Sequence, residues 1–299
     1  MTRMPRNLLA SAVLVTLLAA STAACGTSGD DSEPKAATTS APLYKDLPKE
    51  IREAGKIVVG SDISYAPMEY YDTDGTTVLG FDKDLADALS KQLGVPFEFK
   101  NASFDGLITS LKSKRLDVVI SGMSDTKKRQ ASVDFVDYYT AGAMLLVKKG
   151  NPEGLKSLTS LCGKTVAVQR STTQAGYAAE QSKTCVKDGK KKIQILEFDR
   201  ETEALLQVKQ GRAVAGLEDY PVASYNARTS NGGKDFEVVG EQIEAGPLGI
   251  AVGKQDTALR EALSKALAAI IDNGAYTKLI EKYGIPEGAV TEAKVNAGT

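Results

Sequence analysis

Histidine occurs nowhere in the 299 residues. Its absence removes Ser-His-Asp and Cys-His nucleophile systems, and every metal site built on imidazole, before any motif is considered. Cysteine is scarce, limited to Cys25, Cys162 and Cys185. No charge sign predominates either: 37 Lys and Arg against 38 Asp and Glu give a formal net charge of -1. There is thus no bulk positive field to draw the chain onto nucleic acid, and no nucleic-acid partner is expected. Beyond the N-terminus no stretch is apolar enough to span a bilayer. What remains is 42% hydrophobic and 25% charged, an ordinary globular composition with length for two modest domains or one large one. No metal or cofactor is expected.

The N-terminus carries a positive region at Arg3 and Arg6, an apolar run from Leu8 to Ala20, and small residues from Ser21 to Ala24. This reads as an export signal over residues 1–24, its apolar run falling short of the ~20 residues of a membrane span. The cysteine that follows, Cys25, resembles the lipobox cysteine of bacterial lipoproteins. That likeness implies a lipidated (palmitoylated) Cys25 and a lipid anchor at the extracellular face of the cell membrane; a plain secretory peptide with an incidental cysteine is the other reading. Gly26 to Pro42 is rich in Gly, Ser, Thr, Ala and Asp. It holds too little apolar surface to offset the entropy of ordering, so residues 25–46 read as a flexible tether.

Cys162 and Cys185 are then an even pair in an oxidising compartment. Bonded, they close a loop of about two dozen residues, for which the chain-entropy model gives roughly 3 kcal/mol. Two unrelated buried thiols are the alternative.

Along the body, strand and helix patterns alternate. Ile57 to Gly60 is a β-branched strand, and Asp82 to Leu93 carries Leu85, Leu89 and Leu93 on one helical face before Gly94. Phe104, Leu107, Ile108 and Leu111 form another amphipathic set, and Leu116 to Ile120 is a continuous apolar strand. Further strands are expected at Gly142–Val147, Lys164–Gln169, Ile193–Phe198 and Ala213–Leu217, with helices at Arg200–Gln210 and Asp256–Asn273. Such alternation predicts an α/β doubly wound design with ligands gathered at the carboxyl ends of the strands.

Those ends carry the chemistry. Asp62 and Tyr65 follow the first strand, and Ser121, Gly122, Ser124 and Arg129 follow the apolar strand ending at Ile120. Gln169 leads into Arg170, Ser171, Thr172 and Thr173, and Ala213–Leu217 runs into Glu218 and Asp219. Arg129 offers a planar fork matched to a carboxylate, with Ser124 beside it. Asp219, supported by Thr173, offers the charge an ammonium needs, and Tyr65 and Phe104 offer flat apolar walls. Singly each has a bland reading: Arg129 paired with Asp134 on the surface, Asp219 as an N-cap, Phe104 as core.

The stretch SDISYAPMEYYDTDG with GFDKDLADALSKQLG, then FDGLITSLKSKRLDVVISGMSDTKKRQASVDFVDYY, GKTVAVQRSTTQ and GRAVAGLEDYPVASY, resembles the family 3 extracellular solute-binding proteins. These are polar amino-acid receptors of ABC transporters. The resemblance runs from about Gly55 to Pro286. It implies that Arg129, Ser124 and the Gly122 backbone take an α-carboxylate, that Asp219 and Thr173 take an α-ammonium, and that Tyr65 and Phe104 form aromatic walls. Ser121 and Gln169 match further lining positions, and Asp62 a position that meets the ligand side chain. Ser171 stands where the family commonly has Gly, and Glu218 where other side chains occur.

The fold implied is a two-lobed, type II periplasmic-binding-protein-like α/β fold, its lobes joined by two crossing segments. These are expected near Lys148–Pro152 and Glu244–Leu248, with lobe 1 as residues 47–147 plus 249–299 and lobe 2 as 149–245. The function implied is capture of a polar amino acid by lobe closure and delivery to an ABC transporter permease, as a monomer and without catalysis. Asp62 and Glu218, both expected near the side-chain pocket, favour a cationic or amide side chain, while Arg170 leaves glutamate open. The alternative is a dehydratase-like enzyme on the same fold, with Glu218 beside Asp219 as the acid.

Overall fold

The computed structural model describes residues 37–299; the export signal, Cys25 and the first part of the tether lie outside the described residues. Helix α1 (Lys49–Ala54) leads into strand β1 (Ile57–Ser61). A small antiparallel sheet follows, made of β2 (Ser64–Tyr65), β3 (Glu69–Tyr71) and β4 (Val78–Leu79). Helix α2 (Phe81–Leu93) buries Leu85, Leu89 and Leu93 completely. It stops at Gly94, whose φ of 75° a side chain would resist and whose N–H returns to the Ser90 carbonyl. Strand β5 (Phe97–Asn101), helix α3 (Leu107–Lys112) and strand β6 (Val118–Val119) complete the first alternation, and the short helix α4 (Lys127–Gln130) precedes the long strand β7 (Val133–Lys148).

The second alternation runs β8 (Thr165–Gln169), α5 (Thr173–Lys187), β9 (Gln194–Phe198), α6 (Glu201–Gln210), β10 (Ala215–Asp219) and α7 (Tyr220–Thr229). Strand β11 (Phe236–Gly253) then returns the chain to α8 (Thr257–Asp272), α9 (Ala275–Tyr283) and the short strand β12 (Lys294–Val295). Sheet order is β5-β1-β6-β11-β7-β10-β8-β9, with β12 beside β7. Strands β5, β1 and β6 are mutually parallel, as are β9, β8 and β10, whereas β11 runs antiparallel to its neighbour β6, β7 antiparallel to its neighbour β10, and β7 and β11 antiparallel to each other. Two three-stranded parallel units thus flank one long shared ribbon, which is the two-lobed architecture expected.

Each lobe has a core on both sheet faces. In the first lobe Ile57, Val59, Val118 and Ile250 pack with α2 and α8 on one face, while Val119, Phe135 and Ala251 pack with α3 on the other. In the second, Leu145, Val147, Val166 and Leu217 pack with α5, while Met144, Leu146, Ala167 and Phe236 pack with α6. The alternation of Met144, Leu145, Leu146 and Val147 between faces is that of a strand buried on both sides.

The crossings differ from expectation. β7 pairs with β11 in the first lobe through Val133–Asp137 and with β10 in the second through Ala143–Val147. The first crossing therefore precedes Lys148–Pro152, which instead forms the turn at the far end of the second lobe, where Lys149 N–H meets the Asp235 carbonyl. The reason is that β7 itself runs on through the crossing, where Gly142 leaves the ladder to donate its N–H to Gln242 Oε1 at 2.7 Å and has no room for a Cβ, which would lie 2.9 Å from the Ile243 carbonyl oxygen. Opposite it, β11 shifts register between Val239 and Gly249, a stretch that includes Glu244–Leu248. Cys162 and Cys185 are joined, with Cα atoms 5.5 Å apart, tying the turn ahead of β8 to α5. Among the described residues no helix is long and apolar enough to cross a membrane.

Candidate functional site

The loop after β6 is organised from beneath by two carboxyl groups that reading of the strand ends did not single out. Ser121 Oγ accepts from the Asp62 N–H at 2.9 Å and donates to Glu69 Oε1 at 2.7 Å. The Gly122 N–H donates to Asp82 Oδ2 at 2.9 Å. That corrects one expectation: the Gly122 amide faces the buried Asp82 and is not free for an α-carboxylate. Gly122 has φ 49°, and a Cβ there would lie 3.2 Å from the Tyr65 ring, so its lack of a side chain lets the ring lie against the loop. Burial and the neighbouring Asp82 charge push Glu69 well above the usual carboxylate range, and burial pushes Asp82 up to about 6.

Arg129 projects from α4, whose N-cap Thr126 accepts from the Arg129 N–H at 3.3 Å. Its Nη1 donates to the Ser124 carbonyl at 2.8 Å and its Nη2 to the Ser171 carbonyl, across the cleft, at 3.1 Å. The guanidinium carbon sits 5.3 Å from the centre of the half-buried Phe104 ring. Desolvation pulls the guanidinium down to about 10. It forms no ion pair among the described residues; Asp134, the surface partner considered for it, is held by Lys254 at 2.7 Å and Arg260 at 2.8 Å.

The second lobe supplies the complementary charge. Asp219 ends β10 and stands at the N-cap of α7, but makes no side-chain cap bond. Its Oδ1 accepts from Gln174 Nε2 at 2.8 Å and its Oδ2 from Tyr65 Oη at 3.0 Å, while Tyr65 Oη accepts from the Asp219 N–H at 2.9 Å. Burial pushes Asp219 up to about 7, against the Tyr65 hydrogen bond and the Arg129 charge. Thr173 opens α5 behind the N-cap Thr172, its Oγ1 3.3 Å from Ser124 Oγ. Ser171, in place of the family's common Gly, has φ 63°, a conformation that disfavours side chains and aims its carbonyl at Arg129. Gln169 Nε2 donates to Asp62 Oδ2 at 2.6 Å.

Asp62, Tyr65, Phe104, Ser121, Gly122, Ser124, Arg129, Gln169, Thr173 and Asp219 all line one small space of about 20 Å³, with Glu69, Thr172 and Gln174 added. The lobes are closed on it, and as it stands it holds little more than a water molecule. A larger cleft of about 710 Å³ shares Ser124, Arg129, Thr172, Thr173 and Asp219 with it and extends along the crossing strands past Ala141 and Glu244. The smaller space is the candidate site, because the two opposite charges, the hydroxyls and both aromatic walls converge there. Two sequence expectations fail. Glu218 alternates to the opposite face of β10, binds Asn226 Nδ2 at 3.0 Å and is absent from the lining. Arg170 pairs with Asp199 at 2.6 Å, also outside the lining. Gln174 was missed because it lies on a helix whose buried face is mostly small.

Residues 57–286 match the family described as bacterial extracellular solute-binding proteins, family 3. The chain belongs to this family. Among its relatives, the lysine/arginine/ornithine-binding periplasmic protein of Escherichia coli is 33% identical over 252 residues, covering 82% of this chain and 92% of that protein. The arginine-binding protein ArgT of Corynebacterium glutamicum is 28% identical over 98% of this chain and 97% of its own. Among solved structures, an ancestral arginine-binding protein bound to arginine superposes with a TM-score of 0.71 at 37% identity, covering 77% of this chain and 98% of that one.

Proposed function

We propose that this protein is an extracellular receptor that captures one polar amino acid between its lobes and delivers it to an ABC importer. The observation that carries the reading is the desolvated Arg129 guanidinium, without a carboxylate against it, facing the same space as Asp219 from the other lobe. A zwitterion supplies both missing charges at once. Arg129 and Ser124 take the α-carboxylate, Asp219 and Thr173 the α-ammonium, Tyr65 and Phe104 the flanks, and Asp62, with Ser121, Gly122 and Gln169, surrounds the side chain. Entry requires Tyr65–Asp219 and Ser124–Thr173 to part, which opening at the two crossings allows, and the ligand favours closure by its differential affinity for the closed lobes. We draw the lobes as residues 47–141 with 246–299 and residues 143–239, with the crossings between them.

The same reading makes Cys25 the lipid anchor at the outer membrane face and residues 25–46 the tether. It makes the protein a monomer that neither catalyses a reaction nor binds nucleic acid. The names of the relatives, all binding proteins, support this, as does the position of Glu218 away from the cavity. Native mass spectrometry of protein purified under mild conditions tests the function directly: a co-purifying amino acid is expected, and retention of a sugar, peptide or metal complex in its place refutes it.

A further inference from the structure

Asp62 ends β1 and is 2% exposed. Both of its oxygens are engaged. Oδ1 accepts from Ser64 Oγ at 2.8 Å and from Arg200 Nη1 at 2.6 Å, and Oδ2 accepts from Gln169 Nε2 at 2.6 Å. Ser64 belongs to the same lobe, whereas Gln169 and Arg200 reach across from the other. Arg200 immediately precedes α6; its side chain is 34% exposed, and Nη1 also approaches Asn101 Oδ1 at 3.5 Å. It does not line the cavity but reaches Asp62 from the rim.

The carboxylate beside the ligand side chain therefore already carries a full positive partner. This is not an ordinary surface pair of small consequence, since its acidic end is buried and a buried charge depends on its partner. A ligand cation arriving at Asp62 meets an acid already neutralised and a guanidinium in contact with it. In a cleft that excludes water, that second positive charge repels it. An uncharged side chain ending in an amide meets no net charge and needs no displacement of Arg200.

We propose that Arg200 determines side-chain specificity: by holding Asp62 across the cleft it makes the side-chain subsite electrically neutral. The receptor then takes an amino acid with an uncharged, amide-type side chain in preference to one bearing a side-chain cation. This rests on the amino-acid receptor reading above, and selection works by a built-in repulsion as well as by attraction.

Calorimetric titration of wild type, Arg200→Gln, Arg200→Ala and Arg200→Lys with glutamine, arginine and lysine tests it. Wild type is expected to prefer glutamine by about tenfold or more, and the Gln and Ala variants to shift that ratio toward the cations by about tenfold or more. Arg200→Lys keeps the charge and is expected to keep the order of preference. A wild-type preference for arginine or lysine overturns the proposal without recourse to any variant, as does an unchanged ratio in variants that still bind. Failure of wild type to bind any common amino acid removes the receptor reading and this proposal together, an outcome distinct from binding with the wrong preference.

Discussion

Replacement of Arg129 by alanine removes a fork whose donors can be followed one by one. Of the five N–H groups of a guanidinium, one on Nη1 goes to the Ser124 carbonyl and one on Nη2 to the Ser171 carbonyl. The others remain for a ligand, enough for a two-point contact with a carboxylate. Truncation would leave that carboxylate desolvated and unpaired, a loss that typically costs about 2 to 5 kcal/mol. The expected result is binding weakened by roughly 30-fold to several thousand-fold. The upper part of that range is favoured because the Nη2 bond spans both lobes, so closure loses a contact too. Arg129→Lys is also expected to bind more weakly, since a point charge cannot reproduce the fork. The assay is calorimetric titration with the cognate amino acid and with its α-amide. Wild type should discriminate strongly against the amide, and the alanine variant much less. Equally tight binding of both ligands to wild type would refute the carboxylate role and the zwitterion frame with it.

Three further outcomes are expected. Burial raises Asp219 to about 7 from its ordinary 3.8, and a bound ammonium favours the ionised form, so binding below that pH must release a proton. Affinity should then fall as pH drops through about 7, by at most about tenfold per unit, with the slope abolished in Asp219→Asn; a flat wild-type profile between about pH 5 and 8 contradicts this. The double variant Cys162→Ser/Cys185→Ser should lose about 3 kcal/mol of stability, read as a lower calorimetric midpoint, while ligand affinity holds because Cys185 lies three turns of α5 from Thr173; an unchanged midpoint counts against it. Finally, Cys25→Ala should move the protein from the membrane fraction to the medium with ligand binding intact, and a variant that stays in the membrane pellet rules out the lipid anchor.

The site was legible because each parallel strand is an apolar run that stops where polar residues begin, and sheet topology brings those stops together. Less legible were groups whose partners are remote in sequence. The first half of β7 was missed since Asp134 and Asp137 interrupt its pattern; they are tolerated because Lys254 and Arg260 hold one and the Ala297 N–H the other. Much of β11 is exposed between Gly240 and Pro247, so it shows little apolar periodicity. Glu69 sits in a three-residue strand, too short to display a period, and Arg200 reads as an ordinary charge ahead of a helix until Asp62 is seen beneath it. Glu218 misled for the opposite reason: adjacency in a strand means opposite faces.

The shared ribbon of β7 and β11 also sets a timetable. The second lobe is drawn from one uninterrupted stretch of chain, together with the ends of the ribbon that flank it. The first lobe begins at β1 and can pair β6 with it, yet the other edge of β6 stays open until β11 arrives, and α2 stays uncovered until α8 and α9 follow. The portion synthesised earliest must therefore wait, with its apolar faces uncovered, for the portion synthesised last. A nascent chain stalled before residue 236 would hold nearly all of the second lobe and an open half of the first, with the apolar face of α2 left bare.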